Sequence, residues 1–247
     1  MQRQPSPPSS IPSQPDPDGS LSYRGSVCIA GFTAAGKTTH AHLLAGEFGL
    51  TYVSGSQIQL NFMAVSPIQA KDFWLTPEAK AFWDKDQFRR IDDELIRLEG
   101  LAEGYIFDTS LMPWRHRRRA LCIWLESSLE SRVLKSKVSH RGTSRLSLEE
   151  YRQRILEKDE ATFTLCKELY DIEIGRDLSC FDLILDLSSL IREATLCASL
   201  QSISVAHSII RPAVAWYLTG ASSFQHQLET AAHVHQALIR RNTLLPA

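Results

Sequence analysis

An apolar run, Ser26-Val27-Cys28-Ile29-Ala30, leads into Gly31-Phe32-Thr33-Ala34-Ala35-Gly36-Lys37-Thr38, and an amphipathic stretch from Thr39 to Phe48 follows. The middle segment has the spacing G-x-x-x-x-G-K-[ST], and no other part of the chain constrains the fold as tightly. Glycines let the backbone wind so that successive N–H groups face one anion. The helix that follows points its positive end at the same place. A lysine at position 37 reaches β- and γ-phosphates, and a hydroxyl at position 38 is placed to ligate Mg²⁺. Leu43, Leu44 and Phe48 give the following stretch an apolar face, and Gly49 stops it. Strand, loop and helix therefore come in the required order. The expectation is a nucleoside triphosphate site built from Gly31, Thr33, Ala34, Ala35, Gly36, Lys37, Thr38 and Thr39. A plain glycine turn between strand and helix would leave Lys37-Thr38 unexplained.

Further strands are expected at Thr51-Tyr52-Val53, Tyr105-Ile106-Phe107, Ala120 to Leu125 and Phe181 to Leu185. Helices are expected between them: from about Ser56, across Phe73 to Leu101, over Ser128 to Val138, and over Ser147 to Tyr170. The second carries Phe88, Ile91, Leu95 and Leu98 on one face, and the last opens on the capping box Ser147-Leu148-Glu149-Glu150. Strands alternating with helices make an α/β fold. The expected architecture is a three-layer P-loop NTPase fold with a five-stranded parallel sheet, a helical acceptor-binding insert and a lid. Its parts are a disordered leader (1–23), a kinase-type domain (24–190) and a C-terminal helical extension packed on the core (191–247). Within the domain, acceptor-binding helices span about 55–101 and the lid about 139–147. The leader is expected because Met1 to Ser20 is built from Pro, Ser, Gln and Asp, with little apolar surface to bury.

Net charge is −1, so no global basic field points to nucleic acid. Five scattered cysteines without a C-x-x-C pair argue against a disulfide framework or zinc and fit a reducing cytoplasm. No apolar run approaches the roughly 20 residues of a membrane span, and Ile209 to Leu218 reads as a packed helix. Arg115-His116-Arg117-Arg118-Arg119 reads as a solvated connection, and His226, His233 and His235 as surface histidines. Two more segments carry chemistry. Asp108 ends an apolar strand, where a carboxylate holds Mg²⁺ directly or through water. Ser139 to Arg145 is polar and basic between two helices, and Arg141 and Arg145 are its candidates for closing over a transferring phosphoryl group.

Three stretches resemble the cytidylate kinase family of P-loop nucleoside monophosphate kinases, in its short archaeal-type branch. They are Leu50 to Ile58, Leu121 to Arg132, and Lys167 to Ile174 continued by Phe181 to Asp186. The likeness spans roughly Ser26 to Ser188. It implies an ATP- and Mg²⁺-dependent phosphotransferase acting on a nucleotide-like small molecule, with catalytic Lys37, Asp108, Arg141 and Arg145, and metal ligation by Thr38 and Asp108. It implies acceptor contacts from Ser54, Gln57, Ser110, Lys158 and Asp159. The family grips the acceptor phosphate with arginines, and the matching positions here are Leu60, Ser110 and Leu165. Lys158 and Asp159 stand where the family has an arginine and an acid. Lys71, Arg89, Arg90 and Lys158 are the cations available as substitutes. Two other readings follow: a small-molecule kinase acting on a hydroxyl or a modified nucleoside, and a nucleotide-binding module with little catalysis. An intact Lys37-Thr38 and an arginine-bearing lid speak against the module.

Overall fold

A computed structural model describes residues 25–62, 84–101, 103–115, 120–141 and 144–245. The expected leader, the beginning of the 73–101 helix, Lys71 and residues 116–119 of the basic run lie outside the described residues. Strand β1 (Ser26–Gly31) is followed by α1 (Lys37–Phe48), β2 (Thr51–Ser54) and α2 (Gly55–Phe62). Next come α3 (Lys85–Leu101), β3 (Tyr105–Asp108), the short α4 (Met112–Arg115), β4 (Ala120–Glu126) and α5 (Leu129–Ser139). The chain continues with α6 (Leu148–Tyr170), β5 (Leu183–Asp186), α7 (Leu196–Thr219), α8 (Ser222–Val234) and β6 (Ile239–Asn242). The strands lie in the order β2-β3-β1-β4-β5-β6.

β1 pairs in parallel with both β3 and β4, so it is the centre of the sheet and buried throughout. Side chains alternate across it, as the two-residue strand period demands. Val27 and Ile29, with Leu121, Ile123 and Leu125 of β4, face the layer made by α1, α7 and α8. Cys28 and Ala30, with Cys122 and Trp124, face the layer of α3, α4 and α6. The expected three layers and five parallel strands are present. The sheet has one strand more than expected: β6 runs antiparallel to β5 and comes from the segment read as helical. A four-residue edge strand containing Arg240, Arg241 and Asn242 has no apolar run to announce it. The expected apolar helix at Ile209 to Leu218 is the buried core of α7, where Ile209, Ile210, Ala213, Val214, Ala215 and Leu218 cover the sheet.

The chain leaves β1 toward one edge, through β2 and β3, and later crosses to the other edge through β4 and β5. The crevice at the carboxyl ends of β1 and β3 is thus the topological switch point, where open α/β sheets hold their ligands. The loop after Gly31 and the side chain of Asp108 both open there. The capping box is also formed: Ser147 Oγ accepts from Glu150 N at 3.2 Å, and Ser147 N donates to Glu150 Oε2 at 2.7 Å.

Candidate active site

The loop between β1 and α1 needs glycine for two different reasons. A Cβ on Gly31 would lie 2.5 Å from the Leu125 carbonyl oxygen, so only a bare backbone passes that close to β4. Gly36 has φ 111°, a conformation that glycine adopts without strain. Ala34 between them is also left-handed, with φ 63°. The Lys37 ammonium folds back over the loop and donates to the Gly31 and Phe32 carbonyls, both at 2.9 Å. Burial lowers its pKa, and the carboxylates of Asp108 and Asp159 oppose that shift.

Three side chains hold the loop from α5 and α6. Asp159 Oδ1 accepts from Thr33 N at 3.0 Å, and Asp159 Oδ2 accepts from Arg132 at 2.5 Å. Arg132 also donates to the Thr33 carbonyl at 3.1 Å, and its guanidinium lies 5.4 Å from the centre of the Phe32 ring. Lys135, one helical turn on, donates to the Ala35 carbonyl and to Ser127 Oγ. Burial, then the charge of Arg132, brings Lys135 down to about 8. Across the loop, Asp108 Oδ2 accepts from Thr38 Oγ1 at 2.5 Å and from the Tyr52 hydroxyl at 3.2 Å. The Tyr52 ring stacks on His42, and burial raises its phenol pKa, with the charge of Asp108 as the next cause.

A cavity opens beside Lys37, Thr38 and Asp108 and runs along α2, α3 and α6. Its polar wall is Ser56, Gln59, Thr109, Ser110, Thr162 and Lys158; its apolar wall is Phe88, Ile91, Leu95, Leu111 and Leu165. Burial, and after it the charge of Lys37, lowers Lys158 to about 8. Asp92 completes the lining among the apolar residues of α3.

Loop residues Thr33, Ala34, Lys37 and Thr38, together with Asp108, Ser110 and Lys158, line this cavity as the sequence suggests. The Ser54–Gln57 pair stands apart. Ser54 Oγ accepts from Gln57 N at 3.4 Å at the start of α2, and Gln57 bonds Asn61. The helical turn carries Ser56 and Gln59 to the cavity instead. Asp159 clamps the donor loop and is not part of the lining. Arg141 and Arg145 are exposed on the connection between α5 and α6, away from the lining. Arg115 departs from the solvated reading of its run: it pairs with Asp92 and stacks over Tyr170. Arg89 and Arg90 are exposed, and Leu60 is buried in the fold. Tyr52, Asp92, Arg132 and Lys135 were not singled out from sequence. Asp92 alone left a usable signal, an acid four residues after Phe88 on an apolar helix face.

The donor set fits Mg²⁺ and a nucleoside triphosphate. A hydroxyl and a carboxylate meet at 2.5 Å at the start of α1, with two ammonium groups on the same wall. Among the described residues no group of three or more His, Cys, Asp or Glu side chains could hold a metal.

No family model matches the chain. It is 28% identical over 167 residues to a cytidylate kinase of Methanopyrus kandleri, covering 66% of this chain and 84% of that protein. It is 29% identical over 159 residues to a cytidylate kinase of Haloquadratum walsbyi, covering 64% and 78%. Among solved structures, a shikimate kinase from Acinetobacter baumannii in complex with shikimate aligns with a TM-score of 0.41 and 12% identity, covering 76% of this chain and 93% of that one.

Proposed function

We propose that this chain, a cytidylate kinase-like P-loop kinase, moves the γ-phosphoryl group of ATP to a neutral small acceptor, a nucleoside or another alcohol, in the cytoplasm. One observation carries the reading. Among the described residues, the cations on the cavity wall are Lys37 and Lys158, and both stand at the donor end near Asp108. Where the resembled family places phosphate-gripping arginines, Ser110 and Leu165 line the cavity and Leu60 is buried. Each missing charge-assisted hydrogen bond is worth about 1.5–3 kcal/mol, so three of them would weaken a phosphate-bearing acceptor by roughly a thousandfold or more.

On this reading Lys37 and Lys158 stabilise charge on the transferring phosphoryl group. Thr38 and Asp108 would hold Mg²⁺, which neutralises charge between the β- and γ-phosphates. A hydroxyl acceptor must also lose its proton. Thr38 and Tyr52 both donate to Oδ2 of Asp108, which leaves Oδ1 for that proton; with Asp108 as the base, Mg²⁺ would rely on Thr38, the phosphates and water. Arg141 and Arg145 swing in with the α5–α6 connection when both substrates are bound, excluding water. The likeness to archaeal cytidylate kinases favours a second reading, with CMP as acceptor and Lys158 gripping its phosphate.

Coupled ADP-release kinetics with CMP, dCMP and UMP, with the matching nucleosides and with simple alcohols separate the two. A neutral acceptor is expected to exceed CMP in kcat/KM by at least about a hundredfold. CMP turnover as efficient as that of the best neutral compound refutes the proposal.

A further inference from the structure

Tyr52 stands on β2, at one edge of the sheet, where a tyrosine is common β-forming surface. Its hydroxyl is put to a particular use. β2 pairs in parallel with β3, with Tyr52 opposite Ile106 and Ser54 opposite Asp108. The phenol therefore reaches along the sheet toward its carboxyl end, where it donates to Asp108 Oδ2 at 3.2 Å. His42 of α1 stacks on the ring, with centres 4.0 Å apart. Thr38 donates to the same Oδ2 at 2.5 Å. Asp108 Oδ1 has no partner among the described residues and is not fully buried, so it opens into the cavity that Asp108 lines. A carboxylate offers about four acceptor positions on two oxygens. Donors that served only to satisfy it would be shared between the two. Here both sit on one oxygen, and the other is left bare.

We infer that Tyr52 is a positioning residue: with Thr38 it holds Oδ2, so that the Asp108 carboxylate keeps Oδ1 turned to the acceptor's proton and away from Mg²⁺. The inference rests on the reading of Asp108 as the base for a hydroxyl acceptor. A carboxylate at this place has two possible uses, proton acceptor or metal ligand. Thr38 alone would let it pivot about a single hydrogen bond. A second donor, from the edge strand and not from α1, removes that freedom. Each donor also spreads the carboxylate's charge and weakens it as a metal ligand. The His42 stack steadies the ring that carries the hydroxyl.

Tyr52→Phe removes the hydroxyl and keeps the ring on His42. Mn²⁺ titrated into enzyme bearing the β,γ-imido analogue of ATP, with no acceptor present, should bind about 3- to 10-fold more tightly than in wild type. With the best neutral acceptor, kcat should fall by roughly 10- to 100-fold, while KM for acceptor and for ATP stays within about threefold. Opposite signs separate positioning from support, since a loosened fold weakens metal binding and turnover together. His42→Ala removes the stack and leaves the hydroxyl. It should keep metal affinity and kcat within about threefold of wild type. Metal binding in Y52F that is unchanged or weaker overturns the inference, and so does an unmoved kcat with a neutral acceptor. An H42A enzyme that matches Y52F in both overturns it too, since ring packing then carries the effect. If CMP proves the better acceptor, the neutral-acceptor reading falls. The metal titration contains no acceptor, so it still judges whether Tyr52 holds Asp108 off the metal.

Discussion

Asp159→Asn tests how the donor loop is held. Asp159 and Arg132 are 7% and 8% exposed, and they meet at 2.5 Å beneath the loop. Together they hold both backbone groups of Thr33: Asp159 takes the N–H, and Arg132 donates to the carbonyl. Breaking a buried pair by removing one partner costs about 3–5 kcal/mol, because the other charge stays buried alone. Asparagine keeps the shape and still accepts from Thr33, so D159N belongs near the lower end, at about 3 kcal/mol. Arg132→Met leaves a lone carboxylate with a single N–H partner and belongs near the upper end. The double variant D159N/R132M buries no lone charge, so it should be more stable than the sum of the two losses allows, by about 2 kcal/mol or more. Urea unfolding reads all three. With a slope of about 1–3 kcal/mol per molar, a 3 kcal/mol loss moves the midpoint by roughly 1–3 M. ATP affinity should fall in every variant, the double included, since none retains the full clamp on Thr33. Single variants that lose under about 1 kcal/mol would refute the reasoning, as would losses that simply add in the double.

Three further outcomes are expected. Lys158 has a folded pKa of about 8 against 10.5 for a free lysine, lowered by burial and then by Lys37. Between those values the unfolded chain binds more protons, so the free protein gains stability as pH rises through that window, while kcat/KM falls above about pH 8 as the cavity loses its charge. Lys158→Arg should push that basic limb upward, and an unmoved limb rejects the role. His40 is held at about 3 against 6.5 by burial, then by His207 and Lys135. Stability should therefore fall as pH drops from about 6.5 toward 3, by on the order of 3–5 kcal/mol, and His40→Asn should flatten that slope in acid-unfolding curves. Arg141→Ala and Arg145→Ala should lower kcat with little change in ATP affinity; equal losses in both would assign them to ground-state contacts, and no loss would leave them in an exposed turn.

The donor half of the site is legible in the sequence because backbone geometry builds it. Gly31, Gly36, Lys37 and Thr38 act through a loop whose spacing is local, and Asp108 is found by its place at a strand end. The clamp on that loop is not legible. Arg132 and Asp159 lie 99 and 126 residues from Thr33, and neither interrupts a pattern in its own helix. Tyr52 is hidden for a similar reason: in a short strand it reads as ordinary β-forming surface until β3 brings Asp108 beside it. The shift from Ser54 and Gln57 to Ser56 and Gln59 is a matter of helix phase, fixed only once α2 starts at Gly55. β6 escapes because its partner strand, and not its composition, makes it a strand.

The C-terminal helices bear on the donor loop as well as on the core. α7 packs against α1, the helix that begins at Lys37: His207 stacks on His40 with ring centres 5.7 Å apart, and Arg211 donates to Glu47 at 2.8 Å. α1 is thus held at three places, by β1 through the loop, by the Thr38–Asp108 bond, and by α7 along its outer side. The three holds differ in kind. On the proposed reading the loop and Asp108 would engage the phosphates, whereas the α7 contacts lie outside the cavity lining. Changes at His207 or Arg211 therefore reach the active site only by moving α1. The acceptor wall has no such bracing from α7 or α8, since α2, α3 and α6 form it on the opposite face of the sheet. On the proposed reading, then, this bracing fixes the donor geometry, and the choice of acceptor is left to side chains such as Gln59, Ser110 and Leu165, which can vary without disturbing the phosphate loop.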